Sequence, residues 1–206
     1  MLAIAAVMPL AAQAPQGPFG FWFGMTRAQA IELVGKNAVK QDKDEVLVLT
    51  TAPRPHGAFE VYSLAFSPKE GLLRIRAVGR DIRSNDFGSD VRDGFTGLME
   101  AVSTTYGTPR LFDFLQSGSM WNEDREWMMG LLKKERTLQA VWCFAGRADA
   151  SAGVCTQSSP LPNHITLVYL KAEALSTGVG YLTLEYEFEG WDKYVDAMKA
   201  KAGAVF

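Results

Sequence analysis

Apolar and polar residues alternate along several stretches of the chain, the pattern of strands that bury one face. Leu72–Ile82 shows it most clearly, with aliphatic residues on one side and Arg74, Arg76 and Arg80 on the other. The same pattern, with breaks at glycine and proline, predicts six strands in total. They are Val46–Thr51, Ala58–Phe66, Leu72–Ile82, Thr137–Phe144, Ile165–Lys171 and Gly180–Glu187.

Apolar residues spaced three and four apart predict helices between these strands. The longest is Asp90–Tyr106, which Ser89 can cap and Gly107 can end. A short helix follows Thr26, which with Gln29 has the form of a capping box. Two more helices are predicted at Asn122–Lys134 and at residues 190–202.

The order of these elements predicts an α+β fold in one domain, residues 15–206. The two halves, residues 19–82 and 89–189, share an order of helix, glycine and three strands, which suggests a tandem repeat. We therefore expect an antiparallel sheet of about six strands with helices packed on one face. The other face of such a sheet can meet solvent or a partner.

Residues 1–14 resemble a signal peptide. Met1–Leu10 is apolar, and Ala12-Gln13-Ala14 has the small-x-small form of a cleavage site. The alternative is a short buried helix ended by Pro9. The run is shorter than the ~20 residues of a membrane-spanning helix, so we expect no transmembrane segment and a periplasmic or secreted protein.

Cys143 and Cys155 bracket a small, polar stretch typical of a loop. A disulfide across this loop fits an oxidising compartment. The alternative is a pair of buried free thiols. The spacing is too long for a CxxC redox or zinc motif.

Two stretches carry resemblances to known families. Phe23–Thr26, with Ala28-Gln29-Ala30 and Gly35, resembles the helix opening of the SmpA/OmlA outer-membrane assembly lipoproteins. The helix-then-strands order resembles the repeats of the β-lactamase inhibitor proteins. The whole chain also resembles an uncharacterised bacterial secreted family, through Trp127–Thr137 and Tyr186–Gly190. The first two resemblances imply a small envelope or secreted module that binds other proteins, whereas the third brings no known activity with it. No cysteine follows the signal-like segment, so we expect no lipid anchor.

Charge and motif content predict no catalytic residue, metal site or cofactor. The net charge of −2 argues against nucleic-acid binding. His56 and His164 are the only histidines and have no ligand-forming neighbours at helical or hairpin spacing. The i, i+2 carboxylates Glu185 and Glu187 share one strand face, which favours a charged solvent-facing surface over a glycosidase pair.

The leading hypothesis is therefore a non-enzymatic exported module that binds another protein. Arg74, Arg76 and Arg80 are the candidate partner-binding residues, since they could pair with Glu185 and Glu187 or with an acidic partner. The alternatives are a hydrolase whose site assembles in space around a histidine, and a carrier of a small apolar ligand held between helices and sheet.

Overall fold

The computed structural model of this chain describes residues 17–146 and 154–203. The described residues form four α-helices, α1 (Arg27–Val34), α2 (Ser89–Tyr106), α3 (Trp127–Leu132) and α4 (Trp191–Gly203). Their strands are β1 (Val39–Lys43), β2 (Val46–Leu49), β3 (Phe59–Ser67), β4 (Gly71–Gly79), β5 (Ile82–Arg83), β6 (Arg110–Leu115), β7 (Arg136–Cys143), β8 (Ile165–Ser176) and β9 (Val179–Phe188). The predicted α+β class is confirmed. The signal-like segment, residues 1–14, lies outside the described residues.

All the strands belong to one antiparallel sheet, in the order β1-β2-β3-β4-β9-β8-β7-β6. Two meanders, β1 to β4 and β6 to β9, meet where β4 pairs with β9. In this central pair Arg74 faces Glu187, Ile75 faces Tyr186 and Arg76 faces Glu185. The short strand β5 pairs with β9 beyond the end of β4.

The predicted strand count and the predicted repeat are both wrong. The sheet of the described residues has nine strands where about six were expected. Each half is a helix followed by a meander of four strands, because β1 and β6 each add an outer strand. In the second half, α3 interrupts the meander between β6 and β7. The predicted strand Leu72–Ile82 is split into β4 and β5.

The predicted helix Asn122–Lys134 is also shorter than expected. A 3₁₀ turn, Asp124–Glu126, precedes it, and Glu126 has φ −106° and ψ 10°, which places the helix start at Trp127. Lys134 has a φ of +61°, in the left-handed region, which ends the helix and turns the chain into β7.

The core lies between the sheet and α2, α3 and the N-terminal arm, which we define as residues 17–25. The buried stripe of α2 is Val91, Phe95, Leu98 and Val102. With α3, this helix packs on β7, β8 and β9. The arm and α1 add Phe21, Met25 and Ala30 to the same core over the first meander. The helices α2 and α3 thus cover one face of the sheet. The first residue of α4, Trp191, instead contacts Arg74, which points to the opposite face.

Candidate protein-binding face

The sheet surface that carries Arg74, Arg76 and Glu185 is not covered by α2, α3 or the arm, and we call it the open face. The burial pattern of β3 shows this directly. Val61, Ser63 and Ala65 remain partly exposed, whereas the alternate residues Tyr62 and Leu64 are buried against the helix layer. On β3, strand alternation therefore places these residues in reach of a partner, whereas Thr183 of β9 and Val141 of β7 are buried although they point to the same side.

The register aligns one row of side chains across the middle of this face. The row runs Val48, Ser63, Arg76, Glu185, Tyr169 and Val141. It combines small and aliphatic residues at the β2–β3 end with charged and aromatic residues at the centre. Val141 is buried at its end of the row. The accessible part, from Val48 to Tyr169, is mixed in polarity and held in place by backbone pairing on both sides of each central strand.

Glu185 joins two arginines at the centre of the open face. Its side chain is only 12% exposed, and it accepts a hydrogen bond from Arg74 Nε at 2.8 Å. Arg76 Nε lies 3.2 Å from the other carboxylate oxygen, an ion-pair contact that lacks the alignment of a hydrogen bond. Because a guanidinium carries five N–H donors, one shared carboxylate leaves donors of both arginines for a second acceptor.

Glu187 is the strongly perturbed carboxyl group of this face. Burial raises its pKa to about 7, although the neighbouring Arg74 charge and a hydrogen bond from the Trp191 side chain lower it. Trp191 also lies against Arg74, with the guanidinium carbon 5.2 Å from the ring centroid. The first residue of α4 therefore closes one end of the open face over Glu187.

The aromatic and basic groups of β8 complete the face. The Tyr169 hydroxyl donates to Gln139 Oε1 at 2.6 Å, which fixes its ring next to Glu185. Lys171 lies 2.5 Å from Glu173. Burial alone would lower the Lys171 pKa, but the hydrogen bond and charge of Glu173 raise it above its ordinary value, so the ammonium stays charged.

Basic residues outnumber acidic residues on the open face. The register places five basic and three acidic strand side chains there: Lys43, Arg74, Arg76, Arg110 and Lys171, against Glu173, Glu185 and Glu187. Asp192 of α4 adds a fourth acidic group beside Glu187. The whole chain has a net charge of −2, so this surface is locally positive on a slightly acidic protein. Its electrostatic complement is an acidic surface.

The structure brings together two of the three predicted arginines. Arg74 and Arg76 lie side by side on β4, whereas Arg80 follows the end of that strand. Arg80 Nε donates to the Gly57 carbonyl at 3.2 Å, and its charge acts on Tyr62, a residue of the helix-covered face. Tyr169 and Lys171 were missed from the sequence, because nothing in the alternation of β8 reveals which strand lies beside it.

The two histidines lie apart from the open face in different surroundings. His56 Nδ1 accepts a hydrogen bond from the Ala58 amide at 3.2 Å. His164 Nδ1 lies 3.2 Å from Glu189, and its ring stacks on Phe23 at 4.8 Å. In the described ranges no hydroxyl or thiol side chain hydrogen-bonds to either imidazole, and no cluster of three metal-ligating side chains occurs.

Cys143 and Cys155 form a disulfide with Cα atoms 4.7 Å apart. Backbone hydrogen bonds between Gln157 and both Cys143 and Ala145 continue the link. The Gln157 side chain then donates to the Thr108 carbonyl at 2.5 Å. The segment after residue 153 is thus tied to the end of β7 and to the α2–β6 connection.

Comparison of the chain with protein-family models, with curated proteins and with solved structures finds no match. Among the helices that the structure describes, none combines the length and the apolar character that crossing a bilayer requires.

Proposed function

We propose that this chain is an exported, non-enzymatic module that binds another protein through its open face. The observation that carries the proposal is the pair Arg74 and Arg76, whose side chains are 28% and 41% exposed and are held in position by Glu185 at the centre of the sheet. A partner carboxylate placed between the two guanidinium groups would meet donors that Glu185 does not use. Charge-assisted hydrogen bonds of this kind are stronger than neutral ones.

The size of the face suits a stable complex. Eight strands side by side, β1 to β4 and β9 to β6, span roughly 34 Å at ~4.8 Å per strand. A standard interface buries about 800 Å² on each partner, which such a width accommodates. The partner is therefore expected to be a folded protein that presents an acidic patch with apolar residues beside it, facing Val46, Val48 and Val61.

The expected compartment is the periplasm or the extracellular space. The disulfide supports it, because such bonds persist in oxidising compartments. The apolar segment Met1–Leu10 supports it from the sequence. Expression of the full chain in a bacterium, followed by osmotic shock and intact-mass measurement, should give a shortened protein without free thiols. An intact chain beginning at Met1 in the cytosol with two reactive thiols would contradict export.

Site-specific photocrosslinking tests the open face itself. A photoreactive phenylalanine at Ser63, which is partly exposed in the central row, should crosslink the partner. The same group at Thr96, exposed on α2, is the matched control and should not. The crosslinked partner should be acidic, and crosslinking at Ser63 should fall steeply between 50 and 500 mM salt, because exposed charges are screened.

Two results would count against this function. Equal crosslinking at Ser63 and Thr96 would show that the open face has no special role. Crosslinking at Ser63 that is indifferent to salt, and to Arg74→Gln with Arg76→Gln, would show that the arginines do not recognise the partner. Arg80→Gln is the matched charge control, since Arg80 lies off this face.

A further inference from the structure

A second site lies on the other side of the sheet, where the helix layer leaves a gap. α2 covers the second meander and the N-terminal arm covers the first, and a cavity of about 190 Å³ remains between them. Its walls are Phe19 of the arm, Leu98 and Tyr106 of α2, and Tyr186 of β9. The exposed residues Ala101, Thr105 and His56 also line it, so it opens to solvent.

The arm builds the aromatic wall of this cavity. Pro18–Gly20 forms a 3₁₀ turn in which Phe19 has a φ of +56°, a conformation that non-glycine residues rarely adopt. The turn places the Phe19 ring edge-on against Phe59, Tyr62 and Tyr186, at 5.5, 5.1 and 5.9 Å between centroids. Edge-to-face pairs of this kind each contribute about 0.5–1.5 kcal/mol beyond the area that they bury, which stabilises the wall.

Two tyrosine hydroxyls give the apolar cavity its polar groups. Tyr186 is 6% exposed, and within the described residues neither its hydroxyl nor that of Tyr106 has a hydrogen-bond partner. Burial raises the pKa of Tyr106 to about 12 and that of Tyr186 further still. Both groups therefore remain protonated donors. Neither hydroxyl is among the buried polar atoms without a partner, which in the described residues are Arg76 Nε and Arg136 Nε. Each hydroxyl therefore keeps some contact with solvent, and a ligand carbonyl in the cavity can replace that water as its acceptor.

We propose that this cavity binds a small neutral aromatic molecule that carries a carbonyl acceptor, with the Tyr186 hydroxyl as its hydrogen-bond donor. The volume of the cavity limits the size of the ligand. An apolar cavity of ~150 Å³ is known to hold benzene, so about 190 Å³ holds one ring with a short substituent. The lining favours a neutral ligand, because it contains no aspartate, glutamate, lysine or arginine. Ionised ligands would lose their hydration without gaining a counter-charge.

Ligand-observed NMR with two matched probes tests the proposal. Acetophenone carries the carbonyl, and α-methylstyrene has nearly the same shape without it. Wild-type protein should bind acetophenone about fivefold more tightly, the contribution of one buried hydrogen bond. Tyr186→Phe should remove that preference while both probes still bind. The same substitution should leave the melting temperature nearly unchanged, because the hydroxyl keeps solvent contact and has no hydrogen-bond partner within the described residues.

A second pair of variants tests the cavity without touching the hydroxyl. Ala101→Phe places a ring at the exposed lining position of α2 and should reduce the affinity of both probes at least tenfold. Thr104→Phe lies on the same helix outside the lining and should not. Equal binding by Ala101→Phe and wild type would overturn the site. Equal affinity of wild type for the two probes would overturn the role of Tyr186.

Discussion

The raised pKa of Glu187 makes stability depend on pH in a direction opposite to that of an ordinary ion-paired carboxylate. The groups that face it are Arg74 from β4, Glu185 from its own strand, and Trp191 and Asp192 from α4. Burial raises its pKa from 4.5 to about 7 in the folded protein. The folded state therefore holds a proton between these values that the unfolded state has released.

The sign and size of this pH dependence of stability follow from proton linkage. Where the folded state binds more protons, the free energy of unfolding falls as pH rises. The contribution of Glu187 is fully present below pH 4.5 and lost as pH rises through about 7. At 1.36 kcal/mol per pKa unit the limit is ~3 kcal/mol. Partial exposure of the Glu187 side chain reduces this limit, and we expect Glu187 to contribute about 2 kcal/mol to the free energy of unfolding.

Glu187→Gln isolates this contribution, because glutamine has the same shape and can still accept the Trp191 hydrogen bond. Urea unfolding followed by tryptophan fluorescence gives the free energy of unfolding at pH 5 and pH 8. Relative to the variant, the wild type should lose about 2 kcal/mol between these values. Glu60→Gln, an exposed carboxylate on β3, controls for net charge. A difference between wild type and Glu187→Gln that stays constant across this range would refute the reasoning.

Three further predictions concern stability, and chemical denaturation measures each of them. Replacing Cys143 and Cys155 by serine should lower the free energy of unfolding by about 3 kcal/mol, and reduction of the wild type should reproduce this loss. Gly97→Ala should raise it by about 0.5–1 kcal/mol, since the position is inside α2 and an added Cβ meets no atom within 4 Å. Gly88→Ala should instead destabilise by more than 2 kcal/mol, because its φ is +69° and the new Cβ would lie 2.2 Å from the Trp127 ring.

The central strands of the sheet could be predicted from the sequence because apolar residues mark one face of each strand and more polar residues mark the other. β3, β4, β7, β8 and β9 alternate in polarity and are bounded by turn residues. β1 was missed because Val39–Lys43 is almost wholly polar and exposed. β6 was missed because Arg110–Leu115 mixes apolar residues on both faces at a sheet edge. Such strands exist because a neighbour pairs with them, which local propensity does not encode.

The candidate sites show the same division between local and long-range information. Alternation alone placed Arg74 and Arg76 on one face and suggested Glu185 as a partner, and the structure contains both ion pairs. Their register depends on β4 meeting β9 across a sequence separation of 111 residues. The cavity could not be predicted, because its walls come from the arm, α2 and β9, and only packing brings Phe19 against Tyr186.

β9 links the two proposed sites and also keeps them separate. Glu185, Tyr186 and Glu187 are consecutive, so the two carboxylates point to the open face while the tyrosine points into the helix layer. A substitution at Tyr186 changes one face of a strand that hydrogen bonds hold on both sides. We therefore expect the backbone that carries Arg74 and Arg76 to keep its position when the Tyr186 hydroxyl is removed. Loss of the crosslink at Ser63 and loss of acetophenone binding are thus independent results, and either proposal can fail while the other stands.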